Sequence, residues 1–138
     1  MQTHIPASLK YGRAVTTTLP YAQAVDRAKA LLKEEGFGVL CEIDVKKTMK
    51  EKIGADVPPY VILGACNPRL AHRALAVENQ IGLLLPCNLV VQELGNTTVV
   101  SAVDANAMMS FVGKAELGAV AVEANAGLGR VLDAIAKE

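Results

Sequence analysis

At 138 residues, the chain has room for one domain that buries about two-thirds of its unfolded surface. Hydrophobic residues reach 51% and charged ones only 20%, against a usual ~45–50% and ~25%, so apolar surface is left over for an enlarged core or for a partner. Lys and Arg balance Asp and Glu at 14 each, and with no Trp and 4% aromatics the chain lacks the basic stripe and stacking platform of a nucleic-acid binder.

The opening MQTHIPASLK has no apolar stretch of an export signal, and no run approaches the ~18 apolar residues of a membrane span. A cytoplasmic protein with free thiols and no membrane contact is therefore expected. The three cysteines, Cys41, Cys66 and Cys87, match no zinc-finger or disulfide spacing.

In chain order, residues 1–10 read as an N-terminal extension and 11–138 as a single domain. Residues 11–18 (YGRAVTTT) are rich in β-branched side chains and predict a strand. Leu19-Pro20 ends it, and residues 21–35 place Ala22, Val25, Ala28 and Leu32 at helical spacing. Gly36 suits a left-handed helix terminus, with Phe37 reaching back as its apolar contact. Residues 38–44 (GVLCEID) predict a strand with Val39, Cys41 and Ile43 on one face, which makes Cys41 a small buried residue. Residues 45–53 read as a short surface helix stopped by Gly54.

The central segment runs YVILGACNPRLAHRALAVENQIGLLLPCNLVV over residues 60–91. Its first part, 60–65, is apolar on both faces, as a central strand would be. Asn67-Pro68 then supplies a cap and a first-turn proline for a helix to about residue 78, with Leu70, Ala71, Ala74 and Leu75 inward. Residues 87–94 and 97–103 form two strands around a Gly95-Asn96 turn. A short helical region follows at 104–111, carrying Met108 and Met109 as core filler. The last helix, about 116–137, carries Leu117, Val120, Ala124, Leu128, Val131 and Ile135 in one stripe. Gly118, Gly127 and Gly129 on that helix suggest close packing against a neighbour. The hairpin and the irregular alternation of elements predict an α+β domain whose sheet is mostly antiparallel, about five strands backed by two long helices plus shorter ones.

An antiparallel sheet would bring Cys66 and Cys87 to the same end. Cys66 stands before a helix N-terminus, where amides and the helix dipole can stabilise a thiolate. His72 lies one turn into that helix and leans back toward its start. Cys66, Cys87 and His72 are thus a candidate soft-metal set for Zn or Cu(I), and the two thiols alone a candidate redox pair. Asn67 and Asn88, each following a cysteine, are candidate ligand-binding amides, or else a cap and a turn residue. The competing reading makes both cysteines small core residues. Glu42 and Asp44 share a strand face as solvated carboxylates rather than an acid–base pair, and Gly36-x-Gly38 closes a helix instead of opening a phosphate loop.

Three blocks carry a resemblance: EEGFGVLCEIDVKKTMKEKIG at 34–54, ILGACNPRLAHRAL at 62–75 and LLLPCNLVV at 83–91. Together they are similar to the family called domain of unknown function three-hundred-and-two, over nearly the whole chain from Tyr11. The resemblance implies a small α+β domain of the TATA-binding-protein-like fold that forms a homodimer, and it implies no established activity. Three functions stay open: a homodimeric module binding a small ligand or soft metal near Cys66 and Cys87, a thiol enzyme or redox protein using Cys66, and an interaction domain whose cysteines only pack.

Overall fold

The protein, described here by a computed structural model, has every residue placed except Met1, Thr3 and Ala7. Six strands make one antiparallel sheet in the order β1-β2-β6-β5-β4-β3. They are β1 (Ser8–Leu9), β2 (Gly12–Thr17), β3 (Gly38–Asp44), β4 (Tyr60–Cys66), β5 (Cys87–Leu94) and β6 (Thr97–Val103). The helices are α1 (Tyr21–Glu34), α2 (Val45–Ile53), α3 (Pro68–Val77), α4 (Ala105–Met109) and α5 (Glu116–Ala136). The α+β class expected from the sequence is what the chain adopts. The extra strand is β1, inside the stretch read as an extension, where Ser8 and Leu9 pair with Arg13 and Gly12.

Local chemistry explains the elements. At the end of α1, Gly36 takes a φ of 82°, its N–H donates to Lys33 O and that of Phe37 to Leu32 O. This is the paired closure that a left-handed glycine allows. Asp44 caps α2 by accepting from Lys47 N–H at 2.9 Å, and Gly54, at a φ of 67°, ends it. In α5 the whole predicted stripe is buried, from Leu117 to Ile135.

Helices α1 and α5 cover one face of the sheet, and α3 packs on α5. That face supplies Val61, Leu63 and Ala65 from β4, Leu89 and Val91 from β5, and Val100 and Ala102 from β6, all part of one core with the helical stripes. Leu75, expected inward, is instead 44% exposed, while Ala74 one position earlier is fully buried. The short α3 turns a narrow stripe of Ala74 and Leu70 to the core, too narrow to include it.

The other face of the sheet carries no helix core, and alternation from the register assigns its residues. One row across the strands runs Gly12, Val103, Asn88, Gly64 and Cys41. The next runs Ala14, Ser101, Val90, Ile62 and Ile43, and a third Thr16, Val99, Gln92 and Tyr60. No ionisable carboxylate, lysine or arginine occurs in any of these rows.

Cys41 belongs to this open face, and the sequence reading of it is corrected here. A bulge in β3 between Val39 and Cys41 breaks the expected alternation, so Val39 packs against the core while Cys41 is exposed. An inserted residue in one strand flips every later side chain to the opposite face. Glu42 accordingly turns toward α1, where its carboxylate meets Lys29 Nζ at 2.7 Å. On the open face, a Cβ on Gly64 would sit 2.5 Å from Cys41 Sγ and 2.9 Å from Pro86 Cγ, so only glycine fits beneath them.

Candidate functional site

The sequence-predicted site around the two cysteines divides when folded. Cys87 pairs with Ala65 across the β4–β5 ladder, so it faces the helices, and Asn88 beside it faces the open side. Cys66 ends β4 and, with Cys87, Asn67, Leu70, Pro86 and Phe37, borders a void of about 20 Å³ under α3 and α5. A void needs roughly 10–15 Å³ to hold one water, so this one has no room for a larger ligand. The antiparallel sheet does bring the two thiols to one end, as the sequence implied. His72, however, is exposed on α3, and among the described residues no three His, Cys, Asp or Glu side chains come together as a metal cluster. The Cys66, Cys87 and His72 ligand set is not assembled.

Electrostatics at the thiols also runs against a thiolate. Burial pushes the Cys66 thiol up, and burial followed by the nearby Cys66 pushes Cys87 up. The positive end of α3 is used internally, because Asn67 Oδ1 accepts from Arg69 N–H at 3.1 Å and from Leu70 N–H at 3.3 Å. Asn67 is a helix cap, and the helix start it satisfies is no longer free to stabilise a thiolate.

The open sheet face holds a different arrangement. Gln2, Ile5 and Leu9 of the N-terminal segment, with residues of β2, β6, β5 and β4, border a concavity of about 520 Å³. Its floor is the row pattern described above: Val90 and Ser101 in the middle, Asn88 toward one end, Gln92 and Tyr60 side by side at the other. Tyr11 completes the wall. Burial raises the Tyr60 phenol, and the neighbouring Tyr11 phenol adds to the rise.

Gln92 is the group this floor leaves unsatisfied. Only 8% of it is exposed. Among the described residues its side-chain amide makes no hydrogen bond, and no such side-chain atom is sealed from solvent without a partner. Gln92 lines the concavity, and its amide, which carries both donors and an acceptor, has no partner among the described residues. Its sequence neighbours Val91 and Glu93 gave no hint of this. Alternation along β5 was visible in VVQEL, but with both faces of the strand apolar the sequence could not show that this glutamine faces a cavity.

Two other concavities lack such a group. One of about 520 Å³ lies beside β2 and α5, but Asn125 there accepts from Ala105 N–H at 2.8 Å and donates to Asp104 Oδ1 at 2.9 Å. Those bonds hold the Asp104 carboxyl below the usual carboxylate range, with the Asn125 side chain the largest cause. The other, about 490 Å³ between α3 and α5, is lined by Arg69, by Arg73 paired with Glu123 and by Arg130 paired with Glu35.

With this geometry in place, comparison with known proteins becomes informative. Residues 13–135 match the family described as Domain of unknown function DUF302. The chain belongs to the DUF302 family. A crystal structure of an uncharacterized conserved DUF302 protein from Bacillus stearothermophilus is similar to it at a TM-score of 0.85 and 30% identity. That likeness covers 90% of this chain and 97% of the other. No curated protein matches the chain. The DUF302 match begins at Arg13, so Gln2, Ile5, Leu9 and Tyr11, which border the concavity, stand outside it.

Proposed function

We propose that this DUF302 domain is a non-catalytic binding module that takes a small ligand on the open face of its sheet, not at the cysteine pair. The observation that carries the reading is the Gln92 amide, buried and without a partner among the described residues at the floor of a concavity of about 520 Å³. Small-molecule sites commonly occupy ~300–1,000 Å³, mostly apolar with a few placed polar groups. Asn88, one of the four ligand-binding residues picked from sequence, contributes to this site. Cys66 and Cys87 support the packing reading instead, since each sits against an almost filled void with its thiol pKa raised.

A second feature favours self-association, which the family resemblance implies. Strand β3 is an unpaired sheet edge bearing Leu40 and Ile43 at 70% and 46% exposure. Such an edge invites pairing with another copy unless it is covered. A two-fold pairing of β3 with its copy would continue the sheet and leave the ligand face free.

The test is a titration of the labelled full chain with a set of uncharged ring fragments, followed by amide chemical shifts. Shifts gathered on Tyr60, Asn88, Val90 and Gln92 are expected. Shifts gathered on Cys66, Asn67 and Cys87 would return the site to the thiols and refute the proposal.

A further inference from the structure

Resting on that reading, we infer that the open-face site is built for an uncharged, flat heterocycle with a lactam-type edge, a ring N–H beside a ring C=O. The argument is chemical. A primary carboxamide offers one N–H donor and one C=O acceptor side by side, and the partner that satisfies both is a group with acceptor and donor adjacent. Glutamine and asparagine read nucleobase edges in this bidentate manner. Among the described residues neither group of Gln92 has a partner, and the side chain, 8% exposed, lines the concavity.

The surroundings restrict the rest of the molecule. Among the described residues no carboxylate, lysine or arginine lines the concavity, so a charged ligand would leave water without a counter-charge. Val90 and Val103 of the floor and Ile5 and Leu9 of the N-terminal segment offer apolar contact to a thin body. Tyr60, directly across the ladder from Gln92, and Tyr11 beside it give ring edges or faces to a planar partner. A flat ring held by its edge at Gln92 would extend along β5 over Val90 toward Asn88, four residues or about 13–14 Å away at the usual strand rise. That length suits two fused rings.

Ile5 and Leu9 come from the segment ahead of the DUF302 match, so the contacts they offer a ring lie outside residues 13–135.

The experiment uses four probes on the full chain, read by amide shifts and calorimetry: 2-quinolone, N-methyl-2-quinolone, naphthalene and quinoline-2-carboxylate. N-methylation keeps the ring and the carbonyl but removes the donor. Expected is binding of 2-quinolone at the Tyr60 and Gln92 resonances, about tenfold or more tighter than N-methyl-2-quinolone or naphthalene, the size of one satisfied hydrogen bond. Gln92→Leu, of similar size, should erase that preference while leaving naphthalene binding in place. Equal binding of the three neutral rings at those resonances would overturn the lactam assignment and leave the site reading standing. Preference for the carboxylate would overturn the neutrality argument. No shift at these resonances with any probe would refute the assignment and the open-face site together.

Discussion

Gly127→Ala and Gly129→Ala should change stability in opposite directions although they lie two residues apart on the same helix. Within a helix, alanine is better than glycine by about 1 kcal/mol. At Gly129 the added Cβ would meet Arg13 NH1 at 3.7 Å, an ordinary contact, so that gain is realised. At Gly127 the Cβ would stand 2.9 Å from Cε2 of Phe37. That ring is 2% exposed and cannot swing away freely. Overpacking a tight site costs ~1–3 kcal/mol, which outweighs the propensity gain and leaves a net loss of ~1 kcal/mol.

The two variants should then differ by about 2 kcal/mol. With ~2.1 cal/mol/K of unfolding entropy per residue, a chain of 138 residues converts this to a gap of about 7 °C in Tm. Calorimetric melting of both variants and the parent measures it. Phe37→Leu in the Gly127→Ala background should cost less than the sum of the single changes, because the smaller side chain removes the clash. If Gly127→Ala melts as high as Gly129→Ala, the close approach of α5 to Phe37 is not what holds this corner together. The corner matters for the site, since Phe37 is also what nearly fills the void beside Cys66 and Cys87.

Native alkylation followed by mass spectrometry should label Cys41 first and Cys66 and Cys87 only slowly, following their exposure. The raised Cys66 and Cys87 thiols stay protonated through the ordinary thiol range, so their labelling should climb only as pH rises beyond it; rapid Cys87 labelling at neutral pH would sink the packing assignment. Their neutral form is the one the fold favours, so the stability tied to it is present below the ordinary thiol pKa and is lost as pH rises through the raised one. Sedimentation equilibrium should give a dimer that Leu40→Lys with Ile43→Lys converts to monomer, and a parent chain already monomeric at working concentration would refute pairing along β3.

Much of the architecture was legible because local signals and tertiary demands agreed. Gly36 followed by Phe37, Asn67-Pro68, the Gly95 turn and the stripe on α5 each have a local cause that the fold keeps. The sequence reading failed where a single inserted residue or a second packing partner decided the outcome. Leu40 in the β3 bulge reversed the face of Cys41, Glu42 and Asp44, and no composition rule marks a bulge in GVLCEID. Leu75 was misplaced because helical spacing gives a stripe but not its width, which depends on how closely α5 approaches α3. Of the three α5 glycines suspected of close packing, only Gly127 meets a neighbour too near for a Cβ.

The candidate site shows the same division at the scale of two residues. Cys87 and Asn88 were taken together because they are adjacent and because a cysteine beside an asparagine recurs at 66 and 67. On a strand, adjacency is separation: Cys87 packs under α3 and α5, and Asn88 looks out across the sheet with Val90 and Gln92. On the helix side of the sheet a polar or reactive group must be absorbed, and the thiols are absorbed by burial. On the open side nothing forces Gln92 to be glutamine, since valine or threonine would fill the row between Val99 and Tyr60. A carboxamide there gains nothing for the fold from any partner among the described residues. The side of the sheet that folding leaves free is therefore where the proposed ligand would be recognised.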